Sequence, residues 1–165
     1  MFLKNVIMDY KQFIDEQKKA ISEQVGDKKV ICALSGGVDS SVATVLAHRA
    51  GVDVENYFID DYLRKKDEYA FVMDAFAKMG IKVRLCDIRD EMMSALEGVS
   101  DNTKKRPIFR EVFYNAFGKL VQEKNVQYLL QGTIKADRKM YAKGQLQHNV
   151  GIPFEKHELN MLLNH

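Results

Sequence analysis

Val30-Ile31-Cys32-Ala33-Leu34-Ser35-Gly36-Gly37-Val38-Asp39-Ser40-Ser41 is an apolar run that breaks into glycines and hydroxyls and then turns helical. Up to Leu34 it has the length and branching of a buried parallel strand, and from Val38 to Arg49 the apolar Val42, Val45 and Leu46 recur at helical spacing. The glycines therefore sit at a strand-to-helix turn. Lacking a Cβ, Gly36 and Gly37 permit a sharp bend and let a ligand approach the backbone. The free N–H groups that open a helix point at that ligand together with the positive end of the helix dipole. This is an anion site, and phosphate suits it best. Ser35, Ser40 and Ser41 add hydroxyl donors, and Asp39 either caps the helix or holds a magnesium ion that offsets phosphate charge.

The turn has neither the G-x-x-x-x-G-K-[ST] spacing of the lysine-bearing phosphate loop nor the G-x-G-x-x-G dinucleotide fingerprint. Ser35 to Ser41, reading SGGVDSS, closely resembles instead the pyrophosphate loop (PP-loop) of the N-type ATP pyrophosphatases. That superfamily includes the GMP, NAD, asparagine and argininosuccinate synthetases and several tRNA-modifying enzymes. The resemblance implies that ATP is cleaved between its α- and β-phosphates. The loop would hold the departing pyrophosphate while AMP passes to a substrate oxygen, which a nucleophile then displaces. The bland alternative is a Gly-Gly turn flanked by serines that binds nothing.

Composition sets the frame for that site. A chain of 165 residues with 46% hydrophobic content is expected to form one domain with a continuous core. The net charge of +2, with both signs mixed along the chain, gives no general case for nucleic acid or an acidic membrane surface. The two cysteines, Cys32 and Cys86, fall inside predicted strands and form no C-x-x-C pair, so they read as buried structural thiols in a reducing compartment. No apolar run reaches the length of a membrane span, and the start Met1-Phe2-Leu3-Lys4 leads into a charged amphipathic segment; a cytoplasmic location is expected.

Taken in order, residues 1–26 read as an amphipathic helix, with Phe2, Leu3, Val6, Ile7, Tyr10, Phe13, Ile14 and Ile21 recurring mostly at three or four residues. After the turn and its helix, strands are predicted over 54–60, 81–88 and 127–131, and helices over 65–79, 89–96 and 107–124, the last with Pro107 in its first turn. Residues 134–153 show no clear period and read as a basic, lid-like loop, and 158–163 as an edge strand. Strands alternating with helices predict an α/β, doubly wound, mainly parallel sheet of four to five strands with helices on both faces, as in the adenine nucleotide alpha hydrolase-like folds.

Within the superfamily the resemblance is to the ATP pyrophosphatase domain of GMP synthetases, and it covers the chain from Asp27 onward. In Asp60-Asp61-Tyr62-Leu63-Arg64-Lys65-Lys66-Asp67-Glu68 the residues Asp60, Leu63, Lys66 and Glu68 match the family, and Tyr62 stands where the family has glycine. Lys105 and Arg106 match a cationic active-site segment whose last lysine is here Pro107. Gln131-Gly132-Thr133 matches a strand terminus that faces the nucleotide, and Asp137 a family aspartate that reaches the metal. His148, Asn149, Val150 and Gly151 are retained from the family lid, in which Gln145, Gln147 and Ile152 replace a lysine, a histidine and a glycine. Lys143 is the candidate replacement for that lysine.

The resemblance thus implies ATP and Mg2+ as cofactors, and an AMP-forming ligase like the enzyme that aminates xanthosine monophosphate (XMP) to GMP in purine biosynthesis. Ser35, Gly36, Gly37, Val38, Asp39, Ser40 and Ser41, with Asp60, Gly132, Thr133 and His148, would bind the nucleotide. Asp39 and Asp137 would hold the metal, while Asp39, Lys105, Arg106 and Lys143 serve the chemistry. The family's C-terminal dimerisation domain and its glutaminase domain are expected to be absent, so ammonia would come from solution or a separate glutaminase subunit. Three alternatives stay open: a divergent nucleotide-binding protein without ligase activity, a tRNA-modifying ATP pyrophosphatase, and a fold remnant that binds nothing. The departures at Tyr62, Gln145 and Gln147 favour the first of these, and the lack of a cysteine pair counts against the second.

Overall fold

The computed structural model describes residues 9–133, 135–143 and 160–162. The order is α1 (Tyr10–Val25), β1 (Val30–Ala33), α2 (Val38–Arg49), β2 (Val54–Asp60), α3 (Glu68–Ala77), β3 (Val83–Asp87), α4 (Arg89–Leu96), α5 (Asn102–Lys124), β4 (Tyr128–Leu130), α6 (Lys135–Ala142) and β5 (Asn160–Leu162). The strands form one five-stranded sheet in the order β3-β2-β1-β4-β5, every pairing parallel. β1 is central, with Val30 opposite both Val54 of β2 and Tyr128 of β4. The expected parallel α/β sheet is present, with β5 at its edge.

The pleat of β1 divides the core. Val30 and Cys32 face a cluster with Ile21 and Val25 of α1 and Ala43 and Ala47 of α2, while Ile31 faces the opposite side, where Met92 of α4 and Tyr114, Phe117 and Val121 of α5 cover it. The small Ala43 and Ala47, both fully buried, are what α2 presents to the central strand. α3 extends the first layer through Val72 and Phe76, which pack on Leu34, Phe58 and Val83. Helices α2 and α3 thus lie on one face and α4 and α5 on the other. The chain winds outward from β1 to β3 and then crosses to β4 on the other side of β1. This reversal puts the carboxyl ends of β1 and β4 at a topological switch point, where doubly wound sheets bind ligands.

Two elements depart from the sequence expectation. α5 begins at Asn102 rather than at Pro107, because Asp101 caps it: its carboxylate accepts hydrogen bonds from the Thr103 backbone N–H (2.8 Å) and hydroxyl (2.7 Å), which also hold its pKa below the usual range. Pro107 therefore sits inside the helix, at the expense of one backbone hydrogen bond near its exposed end. The segment after β4, expected to be an aperiodic loop, contains α6; its short, strongly amphipathic pattern is hidden in the sequence by the basic residues around it. The expected lid residues Gln145, Gln147, His148, Asn149, Val150, Gly151 and Ile152 lie outside the described residues, as do the first eight residues of the expected N-terminal helix. Among the described residues no helix is long and apolar enough to cross a membrane.

Candidate functional site

The turn between β1 and α2 is built from its own hydroxyls. Ser40, buried, donates from its hydroxyl to the Gly37 carbonyl (3.2 Å), accepts from the Ser35 amide (3.3 Å) and lies 3.0 Å from the Ser35 hydroxyl. This network replaces a side-chain cap: the N-cap residue is Gly37, which has no side chain to offer. Ser40 thus braces the turn from inside and does not present its hydroxyl outward, as the sequence reading expected. Asp39 is not the cap either. It stands exposed in the first turn of α2 beside the helix's unpaired amides.

Those amides matter most. Ser41 N–H donates to the Gly37 carbonyl (3.1 Å), and Gly37 N–H makes only a long contact to the Ser35 hydroxyl (3.4 Å). The N–H groups of Gly36, Val38 and Asp39 have no acceptor among the described residues, and all three residues are exposed. Unpaired donors at a helix N-terminus, converging where the dipole is positive, make a receptor for an anion with several oxygens.

Glycines let two neighbouring elements close on this turn. Gly36 has φ +77°, and a Cβ there would meet Val72 Cγ2 of α3 at 2.7 Å and Glu68 Oε1 at 3.8 Å. At Gly132, just beyond β4, a Cβ would lie 2.5 Å from both the Asp39 carbonyl carbon and the Ser40 nitrogen. The Gly132 backbone therefore rests directly against the first turn of α2, so its place at the switch point agrees with the sequence reading. Thr133 follows, buried, with its hydroxyl donating to Gln131 Oε1 at 3.4 Å. Gln131 in turn bonds the phenol of Tyr114, whose pKa is raised, chiefly by burial.

α5 precedes β4 and runs antiparallel to it, so its N-terminal end overhangs the carboxyl edge of the sheet. Phe113 lines a cavity of about 20 Å³ together with Ser35, Ala33 and Arg64. Lys105 and Arg106 lie two turns earlier on α5 and are exposed. Lys143, just after α6, is exposed. For Asp137 the structure gives a place on α6 and nothing of its side chain, and His148 lies outside the described residues. Among the described residues no three His, Cys, Asp or Glu side chains gather to hold a metal ion. Magnesium takes one or two carboxylates plus phosphate oxygens and water. Asp39 beside the open amides fits that requirement, and an all-protein cage is not needed.

Beyond the α3 residues that pack on the turn, a cleft of about 370 Å³ lies at the carboxyl end of β2, lined by residues of the β2–α3 loop and by Arg89. Its loop is fixed by two carboxylates: Asp60 Oδ1 accepts from Tyr62 N–H (3.2 Å) and Asp61 Oδ1 from Leu63 N–H (2.9 Å). Asp61 is 1% exposed, so it is no solvated turn residue, and Arg64 lies 3.6 Å from its second oxygen. Tyr62 has φ +68°, a left-handed backbone that suits the glycine of the related family and strains a tyrosine. Arg89 packs on its ring at 5.4 Å and is itself held by a two-pronged pair with Asp87 (2.8 and 2.6 Å), which lowers the Asp87 pKa. Arg89 carries no sequence signal, since its contact with Tyr62 is made by the pairing of β2 with β3, Asp60 opposite Asp87, whereas Arg64 meets Asp61 and Phe58 of its own segment.

The chain is similar to several known proteins. The profile of the tRNA methyl transferase HUP domain family matches residues 28–96. The chain is 40% identical over 159 residues to a subunit of the glutamine-hydrolyzing GMP synthase of Pyrococcus horikoshii, covering 94% of this chain and 51% of that protein. With the corresponding subunit from Archaeoglobus fulgidus it shares 41% identity over 147 residues, 87% of this chain and 48% of that one. It thus spans about half the length of the curated relatives it matches. Among solved structures, the glutamine-dependent NAD+ synthetase from Acinetobacter baumannii in complex with ADP superposes with a TM-score of 0.68 at 14% identity, over 92% of this chain and 30% of that one. The NH3-dependent NAD synthetase from Campylobacter jejuni gives 0.58 at 17%, over 72% and 53%. These two likenesses show the fold.

Proposed function

Because this chain belongs to the N-type ATP pyrophosphatase (PP-loop) superfamily, we propose that it binds ATP with magnesium and forms AMP and pyrophosphate while adenylating an acceptor, as an AMP-forming ligase of the GMP synthase type. The observation that carries this reading is the set of unpaired Gly36, Val38 and Asp39 amides around a turn braced by Ser40 and backed by Gly132. Such a turn binds the β- and γ-phosphates as they leave, and it stabilises their growing charge with dipoles already in place. Lys105, Arg106 and Lys143 add positive charge from the rim. In this reading the chain's part is to align the α-phosphate with an acceptor oxygen and to offset charge. Magnesium, held by Asp39 with Asp137 as the second candidate, supplies further charge neutralisation when bound. The acceptor is a nucleotide, XMP in the GMP synthetase reaction that the sequence resembles, and ammonia comes from a separate glutaminase subunit, as the glutamine-hydrolyzing relatives suggest.

The reading is tested with α-labelled ATP and magnesium, with and without XMP and ammonia. Labelled AMP and unlabelled GMP appearing together support it. A second reading, nucleotide binding without ligation, draws on the strained Tyr62 at a glycine position. ATP that binds and is recovered uncleaved under all four conditions would select that second reading.

A further inference from the structure

In the layer that α5 lays on the sheet, Phe117 and Val121 of α5 and Leu129 of β4 are buried and bring no polar side-chain atom. Tyr114, 6% exposed in the same cluster, brings a hydroxyl. A buried hydroxyl costs free energy unless it is hydrogen-bonded, and phenylalanine would fill the same space without that demand. The partner is the side chain of Gln131, one residue past β4, which also accepts from the Thr133 hydroxyl at 3.4 Å. Arg110 lies 5.5 Å over the Tyr114 ring and Phe113 meets it edge-on at 5.4 Å, so the ring is held from two sides. The pleat shows where the bond acts. Leu129 faces α5, while Tyr128 and Leu130 face the layer of α1 and α2. By alternation Gln131 and Thr133 turn to α5, and the side-chain position of Gly132 turns to α2. The built Cβ of Gly132 agrees, falling 2.5 Å from the Asp39 carbonyl carbon and the Ser40 nitrogen.

We propose that Tyr114 is a positioning residue for the phosphate-binding turn: through Gln131 it holds the Gly132 backbone against the first turn of α2, and so keeps the open amides aimed. The inference rests on the phosphate-binding reading of that turn and adds a residue from the opposite layer that touches no ligand. The segment 131–133 joins the two layers. One side of it is hydrogen-bonded to α5, and the other is bare at Gly132 and lies on the helix turn that carries the unpaired Val38 and Asp39 amides. Hydrogen bonds shielded from water are strengthened by the low local dielectric, so one buried phenol suffices to fix this segment. Burial also raises the Tyr114 pKa, and the phenol keeps its proton throughout the neutral range. Without the phenol, Gln131 loses its anchor on α5, Gly132 is free to lift from α2, and the amides lose their backing.

The test is calorimetric titration of the full chain with magnesium pyrophosphate, well below the melting temperature. The proteins are the wild type, Tyr114→Phe, Gln131→Met, the double variant and Val121→Ala. Tyr114→Phe keeps the ring and its packing, and a thermal melt checks its fold; Gln131→Met breaks the same bond from the other side and reads it independently. Positioning predicts that each single variant binds magnesium pyrophosphate roughly three- to tenfold more weakly, the scale of one net hydrogen bond. The double variant should bind no more weakly than the singles, because all three lack the same link. Val121→Ala, two turns further along α5, hollows the same layer and should lower the melting temperature while leaving the affinity at the wild-type value. Single variants that bind like the wild type overturn the positioning role, and so does an additive loss in the double variant or an equal loss in Val121→Ala. A wild type that does not bind magnesium pyrophosphate overturns the phosphate-binding reading itself, and the role of Tyr114 with it.

Discussion

Replacing Gly132 with alanine probes the turn from behind, through the backbone of the first turn of α2. The added methyl would lie 2.5 Å from the Asp39 carbonyl carbon and the Ser40 nitrogen and 2.8 Å from Asp39 Cβ. Ordinary carbon contacts lie at about 3.5–4.0 Å, so either the end of β4 or the first turn of α2 must yield by roughly 1 Å. Two of the three opposing atoms are backbone, and no rotamer change relieves the overlap. Overpacking of this kind costs about 1–3 kcal/mol, and the rigid partners place this case in the upper half. For a domain of this size each kcal/mol lowers the melting temperature by about 2–4 °C, so a cost of about 2–3 kcal/mol should lower it by about 4–12 °C. If α2 yields, the amides that receive phosphate move with it, and misplacement by about 1 Å costs on the order of 100-fold in turnover. Gly51→Ala is the control: its φ is +79° but nothing lies within 4 Å of the new Cβ, so it carries backbone strain and leaves the turn alone. Thermal melts and magnesium ATP titrations of the three proteins decide the matter. A Gly132→Ala protein that melts with the wild type and binds ATP as well would refute the packing argument.

Burial raises the Cys32 pKa from 9.0 to about 11, partly offset by its contact with Thr44. The folded state therefore keeps a proton that the unfolded chain loses, and stability is full below pH 9 and falls by roughly 3 kcal/mol as pH rises from 9 to 11. Urea titrations across that window should show a steeper decline in the wild type than in Cys32→Ala, the difference being the Cys32 contribution. Phe117→Ala empties a fully buried position under α5 and should destabilise by about 3–5 kcal/mol in denaturant unfolding, since no neighbouring element can follow the lost ring. Lys143→Glu, motivated by Gln145 at the place of a family lysine, should lower AMP formation roughly 10–100-fold at unchanged fold; turnover equal to the wild type would remove Lys143 from the mechanism.

The sheet is legible in the sequence because its signals are local. Val30 to Leu34 is apolar without interruption, as a strand covered on both faces must be, and Gly80 and Asn125 end helices with the left-handed residues that sequence reading looks for. The turn is legible for the same reason, all its parts lying between Ser35 and Ser41. Where competing local rules meet, sequence reading errs: Pro107 marks helix starts so often that it outweighs the Asp101 cap, and Asp39 suggests a cap although Gly37 already holds that place. Long-range placement is out of its reach. Nothing near Arg89 in the chain announces Tyr62, and nothing near Gly132 announces the first turn of α2; each pair meets only after β2 has paired with β3 and β4 with β1. Tyr62 itself is readable as a departure at a glycine position, but its left-handed backbone and the arginine that holds it belong to the folded chain.

Whether the open amides of the β1–α2 turn receive phosphate is tested most directly by a backbone amide NMR titration with magnesium pyrophosphate. The resonances of Gly36, Val38 and Asp39 should shift first and furthest, saturating together, with Gly132 following through its contact with α2. Shifts that are absent at these amides, or that centre elsewhere on the molecule, would contradict a phosphate-binding turn.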